Sequence, residues 1–149
     1  MSDRQPAAIV DVDDTLCDVS TIRHLYAVPD DFRAFTRASR KCPPRKEVLD
    51  WCHRQVHVGG HALLVVTGRS DEFRDITTRW LNEHLSVPFA GLWMRPLGHY
   101  GSNATVKREI HTELSRSFDI REAIDDDPPI VEMWVALGII STLAPGLTY

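Results

Sequence analysis

The chain has 149 residues, with 17 basic and 21 acidic side chains and a formal net charge of −4. Hydrophobic residues make up 43% and charged residues 26%, which excludes low-complexity disorder and a collagen-like chain, and the length fits one domain, 1–149. The mild acidity argues against a coat protein held on nucleic acid by bulk charge alone.

Read in chain order, short apolar runs alternate with amphipathic segments. Strand-length runs fall at Ala7 to Val12, Ala62 to Val66, Phe89 to Met94, Ile120 to Ile124 and Ile139 to Leu143. The best of them are near-continuous, the pattern of strands covered on both faces. After the first strand comes an irregular insert, about 17–42, with a short helix expected from Asp30 to Arg40. Pro43 and Pro44 suit a first helical turn, followed by Val48, Leu49, Cys52 and Val56 on one face. Ser70 is placed to cap a helix with Asp71 and Glu72 in its first turn and Phe73, Ile76, Trp80 and Leu81 at helical spacing. Ser102 or Asn103 caps a helix carrying Val106, Ile110 and Leu114. Asp127 caps one that opens with Pro128 and closes at Gly138. Such alternation predicts an α/β fold: a parallel five-stranded sheet, right-handed crossovers and helices on both faces.

Met1 to Pro6 is polar and precedes no apolar secretion segment. The apolar runs fall well short of the roughly 20 residues that span a bilayer, so no membrane partner is expected. Cys17, Cys42 and Cys52 are odd in number and lack a Cys-x-x-Cys pair. They read as free thiols in a reducing compartment, an expectation of cytoplasmic residence.

In an open parallel sheet, ligands bind beyond the carboxyl ends of the strands. The first strand is followed there by Asp11-Val12-Asp13-Asp14-Thr15, the second by Thr67-Gly68-Arg69 and the fourth by Asp125-Asp126-Asp127, while Lys107 opens a late helix. Carboxylates gathered in one small volume repel and raise each other's pKa values. A hard divalent cation with oxygen ligands removes the conflict, and Mg²⁺ suits few carboxylates, waters and a substrate phosphate. Lys107 adds positive charge, Thr67 a hydroxyl, and Gly68 close approach of backbone N–H groups to an anion. This is equipment for phosphoryl chemistry, in which an Asp carboxylate can attack phosphorus.

These residues, in this order and across nearly the whole chain, resemble the four-motif signature of the haloacid dehalogenase (HAD) superfamily, which implies a Rossmannoid three-layer sandwich. Within it, Val65-Val66-Thr67-Gly68-Arg69, Val106-Lys107-Arg108-Glu109-Ile110 and Ala123-Ile124-Asp125-Asp126-Asp127 through Val131-Glu132-Met133-Trp134 are similar to the 3′-phosphatase domain of phage-type polynucleotide kinase–phosphatase. The resemblance implies Asp11 as nucleophile and Asp13 as general acid, then base. It implies Thr67 as a phosphate holder and Lys107 as a bridge between phosphate and Asp11. Mg²⁺ is implied on Asp11, the Asp13 carbonyl, and Asp126 with or without Asp125. Arg69 matches a substrate-contacting arginine of that family, and Arg23, in the insert, is aligned with another. The implied substrate is a nucleic-acid 3′-phosphate end, RNA or DNA, with a separate kinase or ligase as a potential partner.

Three departures stand out. Asp14 replaces the usual glycine after the second aspartate, and Asn103 replaces an aspartate four residues before the lysine; an Asn there still offers Lys107 an acceptor without charge. No Gly-x-x-x-x-Gly-Lys-Ser/Thr stretch occurs, so these 149 residues hold no kinase half. Two rival readings remain open: a small-molecule or nucleotide phosphatase of the same superfamily, and a catalytically inactive HAD-like binding module.

Arg33 to Lys46 holds six basic residues and no acid. On a helix Arg33, Arg37, Arg40 and Lys41 share a face, with Phe32 and Phe35 opposite, a footprint suited to a phosphate backbone beside the site. A solvated helix face would explain the same charges. His53, His57 and His61 lie four apart, yet no carboxylate motif accompanies them, and surface or partly buried imidazoles are expected. Trp51, Trp80, Trp93 and Trp134 are expected in the core, although one near the insert could stack a base.

Overall fold

The computed structural model describes residues 3–27 and 32–144. The strands are β1 (Gln5–Val10), β2 (Ala62–Ser70), β3 (Gly91–Arg95), β4 (Phe118–Asp125) and β5 (Ile140–Leu143). The helices are α1 (Phe32–Ser39), α2 (Lys46–His53), α3 (Arg74–His84), α4 (Asn103–Leu114) and α5 (Pro128–Ala136). Asp30, the expected start of α1, lies outside the described residues.

All strand pairs are parallel, and the five strands lie in the order β3-β2-β1-β4-β5. Successive residues of β1 and β2 enter different cores. Ala8, Val10, Leu63 and Val65 join one cluster with Trp51 and Trp80, while Ala7, Ile9, Leu64 and Val66 join another with Val106, Ile130 and Trp134. Side-chain alternation across a sheet buried on both faces therefore produces the continuous apolar runs read from the sequence. The strand order reverses at β1, with β2 on one side and β4 on the other, so the carboxyl ends of β1 and β4 border the crevice where such sheets bind ligands.

Several boundaries differ from the sequence reading for physical reasons. β1 stops at Val10, because Asp11–Thr15 curls into a turn with Thr15 N–H donating to the Val12 carbonyl at 3.2 Å and Leu16 N–H to that of Asp11 at 3.3 Å. Pro43 and Pro44 precede α2 rather than opening it. The Pro43 carbonyl accepts from Asp18 N–H at 2.9 Å, and Arg45 N–H donates to the Leu16 carbonyl at 2.8 Å, so this stretch pairs in extended form with the chain after β1. β2 runs on through Ser70, since Ser70 pairs with Arg95 across a register shift; Thr67-Gly68-Arg69 is thus an irregular end of a strand instead of a turn after it.

The caps largely follow the sequence. The Ser70 hydroxyl accepts from Glu72 N–H, but it caps a single 3₁₀ turn, Asp71–Phe73, that leads into α3. Ser102, not Asn103, caps α4, accepting from Thr105 N–H at 3.1 Å. Asp127 sits at the N-cap of α5 without a side-chain cap bond; its own N–H donates to Asp125 Oδ1 at 3.1 Å. Gly138 takes φ +83° just past α5, the left-handed turn a C′ glycine supplies. Trp51, Trp80 and Trp134 are core residues and Trp93 is half-buried. His53 bonds Ser86 and His61 bonds Gln55, and among the described residues the histidines form no metal-type cluster. All three cysteines are free and buried. Burial pushes Cys52 up to about 12 and Cys17 well above the ordinary thiol range, so neither is a ready thiolate. No helix is long and apolar enough to cross a membrane among the described residues.

Candidate active site

The floor of the site is a buried charge cluster at the carboxyl ends of β1 and β4. Asp11 follows β1, and Asp125 ends β4. Lys107 projects from the second turn of α4, where Val106 and Ile110 anchor the helix on the sheet. Lys107 Nζ donates to Asp11 Oδ1 at 2.9 Å and to Asp125 Oδ2 at 2.6 Å, with all three residues buried. Burial works against charge on Lys107, but Asp11 and Asp125 outweigh it and hold the ammonium well above the ordinary lysine range. Removing Lys107 would leave two buried carboxylates without their shared counter-charge, an expensive arrangement.

Carboxylate oxygens of Asp11, Asp125 and Asp126 lie within 4.8 Å of one another. Burial, and then the neighbouring Asp125, push Asp11 well above the usual carboxylate range. Burial also lifts Asp126 to about 6. The Thr15 hydroxyl stands 2.9 Å from Asp11 Oδ2 and 3.0 Å from Asp126 Oδ1. It has one proton to give, so with both acids ionised one contact is a repulsion. An all-oxygen donor set in excess negative charge fits a hard divalent cation.

Asp13 lies on the rim of this floor and is gripped by Arg69. Arg69 Nε donates to Asp13 Oδ2 at 2.9 Å and Nη2 to Oδ1 at 2.6 Å. Arg69 is only 8% exposed, and its remaining donors reach Thr77 Oγ1 at 3.0 Å and Ser39 Oγ at 2.9 Å. Arg69, expected as a substrate contact, lines the cleft and holds Asp13, and it ties α1 and α3 to the site. Thr67 is buried, and its hydroxyl oxygen accepts from Arg69 N–H at 3.2 Å.

Asp14 and Asn103, two of the three departures from the family pattern, have structural explanations. Asp14 has φ +61°, the only positive φ at a non-glycine among the described residues, which accounts for glycine in the usual motif. Its carboxylate is held bidentately by Arg23, at 3.0 and 2.8 Å, and by Arg45 at 2.6 Å. Arg23 is therefore a clamp between the insert and the turn after β1, as well as a cleft residue. Asn103 does not serve Lys107. It accepts from Arg95 Nη2 at 2.7 Å, and its Oδ1 sits so close to Gly68 that a Cβ there would collide with it.

Arg95 escaped the sequence reading. From the end of β3 it also donates to the carbonyls of Gly68 at 2.9 Å, His99 at 3.0 Å and Gly101 at 2.5 Å. An arginine ending a strand at the ligand edge was the available signal.

One cleft of about 1030 Å³ collects these groups, including Asp11, Asp13, Thr67, Gly68, Arg69, Lys107, Asp125, Asp126 and Arg23. Arg37 and Arg40 do not line it. Arg40 pairs with Glu83 at 3.0 Å, and from the basic stretch it is Arg33 that reaches the cleft, paired with Glu72 at 3.2 Å. Phe32 is not on the sheltered face with Phe35; it is 65% exposed at the cleft.

A parallel sheet of order 3-2-1-4-5 with acids at the ends of the neighbouring strands β1 and β4 and a lysine from α4, the helix before β4, defines the HAD-like class. Over residues 5–143 the chain matches the polynucleotide kinase PNKP phosphatase domain family, and it belongs to that family. A chain of the Pnkp1/Rnl/Hen1 RNA repair complex superposes with a TM-score of 0.77 at 19% identity, covering 96% of this chain and 44% of the other. The chain thus spans less than half the length of that structural relative. The class C acid phosphatase from Bacillus anthracis with tungstate bound gives 0.70 at 14% identity, covering 99% and 69%. A hydrolase from Streptococcus pneumoniae TIGR4 gives 0.60 at 14% identity, covering 98% and 95%. At these identities the structural likeness speaks for the fold.

Proposed function

We propose that the chain hydrolyses phosphomonoesters through an Asp11 phosphoenzyme and that its substrate is a nucleic-acid 3′-phosphate end. The observation that carries this reading is the buried Lys107–Asp11–Asp125 cluster, with Asp13 held by Arg69 beside it, in a chain of the PNKP phosphatase family. The Asp11 carboxylate attacks phosphorus, the bond from phosphorus to the 3′-oxygen breaks, and Asp13 gives its proton to that oxygen. Asp13 then takes a proton from water as the water attacks the aspartyl-phosphate, releasing phosphate and restoring Asp11. Asp13 accepts two bonds from Arg69, and in its protonated form it has one hydroxyl to donate to the leaving oxygen. Lys107 keeps positive charge beside the phosphoryl oxygens.

Asp11, Asp125 and Asp126 are the side chains that would hold Mg²⁺, with the Asp13 carbonyl. When bound, the ion supplies further neutralisation of phosphoryl charge. The RNA repair complex among the structural relatives favours an RNA end and a partnership with separate kinase or ligase activities.

The test is phosphate release, with and without Mg²⁺, from matched oligonucleotides carrying a 3′- or a 5′-phosphate, beside a 3′-mononucleotide. Mg²⁺-dependent release that favours the 3′-oligonucleotide is expected. Better turnover of the mononucleotide would move the substrate to nucleotide metabolism. Asp11→Asn keeps the shape and removes the nucleophile, and release should fall about 10⁴-fold or more. A variant as fast as the parent would sink the covalent route, whereas no release by the parent from any phosphoester would return attention to the binding-module reading.

A further inference from the structure

The outer wall of the cleft is unlike its floor. Tyr26, Phe32, Leu97 and Tyr100 are large apolar residues that stand 50%, 65%, 70% and 97% exposed, and all four line the cleft. Scattered exposed apolar residues need no explanation, but several gathered at one cleft mark a binding surface. The tryptophans considered for stacking a base are in the core or half-buried.

The segment 96–101 is fixed rather than loose. Arg95 holds the carbonyls of His99 and Gly101, His99 bonds Glu109 at 2.9 Å, and Gly101 N–H donates to His99 Nδ1 at 3.0 Å. Tyr100 sits between the two anchored residues, yet its ring makes no aromatic contact and its hydroxyl no hydrogen bond among the described residues. A pre-organised, fully presented ring costs little ordering when a ligand arrives. Tyr26 is braced from the insert side, with ring centroids 5.6 Å from Phe32 and 4.1 Å from Phe35.

We propose that Tyr100 and Leu97, with Phe32 and Tyr26, form a subsite for the base of the terminal nucleotide whose 3′-phosphate lies on Asp11. The inference rests on the proposed function and names what grips the substrate beyond its phosphate. The occupant follows from the cleft's two chemistries. Its floor takes a phosphate, its rim carries the Arg33 guanidinium, and its wall offers flat apolar faces. A sugar phosphate has nothing for the wall. A nucleotide end presents a phosphate and a planar ring a few ångströms apart, with further phosphates for a basic rim. The cleft, at about 1030 Å³, also exceeds what a single phosphate needs.

The experiment compares two 3′-phosphorylated oligonucleotides, identical except that one has an abasic terminal nucleotide. The wild-type chain should prefer the base-bearing end. In Tyr100→Ala the ratio of kcat/KM for base-bearing over abasic ends should fall about five- to hundredfold, the range of one base–aromatic stack. Tyr100→Phe should keep the ratio, and 2-aminopurine at the terminal position should lose fluorescence on binding the wild type but not Tyr100→Ala. Equal kcat/KM on both ends for the wild type would overturn the subsite while leaving the phosphatase in place. Release from a small aryl phosphate but from neither oligonucleotide would overturn the polymer reading, and the subsite with it.

Discussion

Asp14 illustrates how one side chain exchanges one kind of energy for another. A left-handed backbone costs a residue with a Cβ about 1–2 kcal/mol, less for Asp and Asn than for most. Here the side chain that imposes the cost also bridges Arg23 and Arg45, joining the insert and the approach to α2 to the turn after β1. Asp14→Asn keeps the backbone preference and removes the charge. It should lower stability by about 1–3 kcal/mol, because Arg45 is nearly buried and loses its shorter partner. Asp14→Gly should cost less, since relief of the backbone offsets part of the loss. Thermal melts of both variants check the order, and a glycine variant more stable than the parent would mean that the clamp contributes nothing net. The identity of Asp14 was visible in the sequence as a departure; its meaning was not, because Arg23 and Arg45 lie 9 and 31 residues away.

At the scale of elements, α4 does the most with local signals. Ser102 satisfies Thr105 N–H, the Val106 and Ile110 face packs on the sheet, and Lys107 between them reaches Asp11 and Asp125. Ser102→Ala should destabilise the protein by about 1 kcal/mol, and the fraying it causes falls one turn before Lys107. A melt lowered by a few degrees, with kcat reduced and the fold intact by circular dichroism, is the expected result; an unchanged melt would show the cap to be dispensable. Strand and helix positions on the sheet were legible because period and capping are local. The stretch Pro43-Pro44 was misplaced because its partner, the chain after β1, is remote, and a proline that suits a helix start suits an extended pairing equally. The partners of the basic face of α1 were hidden for a related reason: Glu72 and Glu83, from the 3₁₀ turn before α3 and from α3 itself, pair with two of its arginines.

Across the whole molecule the cost of the acidic floor sets a pH dependence. Asp126 stands at about 6 when folded against 3.8 for the ordinary group, and Asp11 is raised as well. Between those values the folded state binds more protons than the unfolded one, so stability falls as pH rises through the window from about 4 to 6. A cation on the three aspartates should offset this, and more so as protons cease to compete. The gain in Tm on adding Mg²⁺ should therefore be larger at about pH 7.5 than at about pH 5, and replacing Asp126 with Asn should shrink it. An equal gain at both pH values would put the ion elsewhere.

The sequence by itself determined the parallel α/β architecture, the strand and helix sites, and the identity of Asp11, Asp13, Thr67, Lys107, Asp125 and Asp126, which the structure gathers at one cleft. Those features rest on short-range periodicity and on motifs that each occupy a few consecutive residues. Only the tertiary structure decided who pairs with whom: Arg69 with Asp13, Asp14 with two arginines, Asn103 with Arg95, and Arg37 and Arg40 away from the cleft. Such pairings depend on distances of a few ångströms between residues far apart along the chain, and charge alone does not say which of several nearby partners the packing will bring into reach.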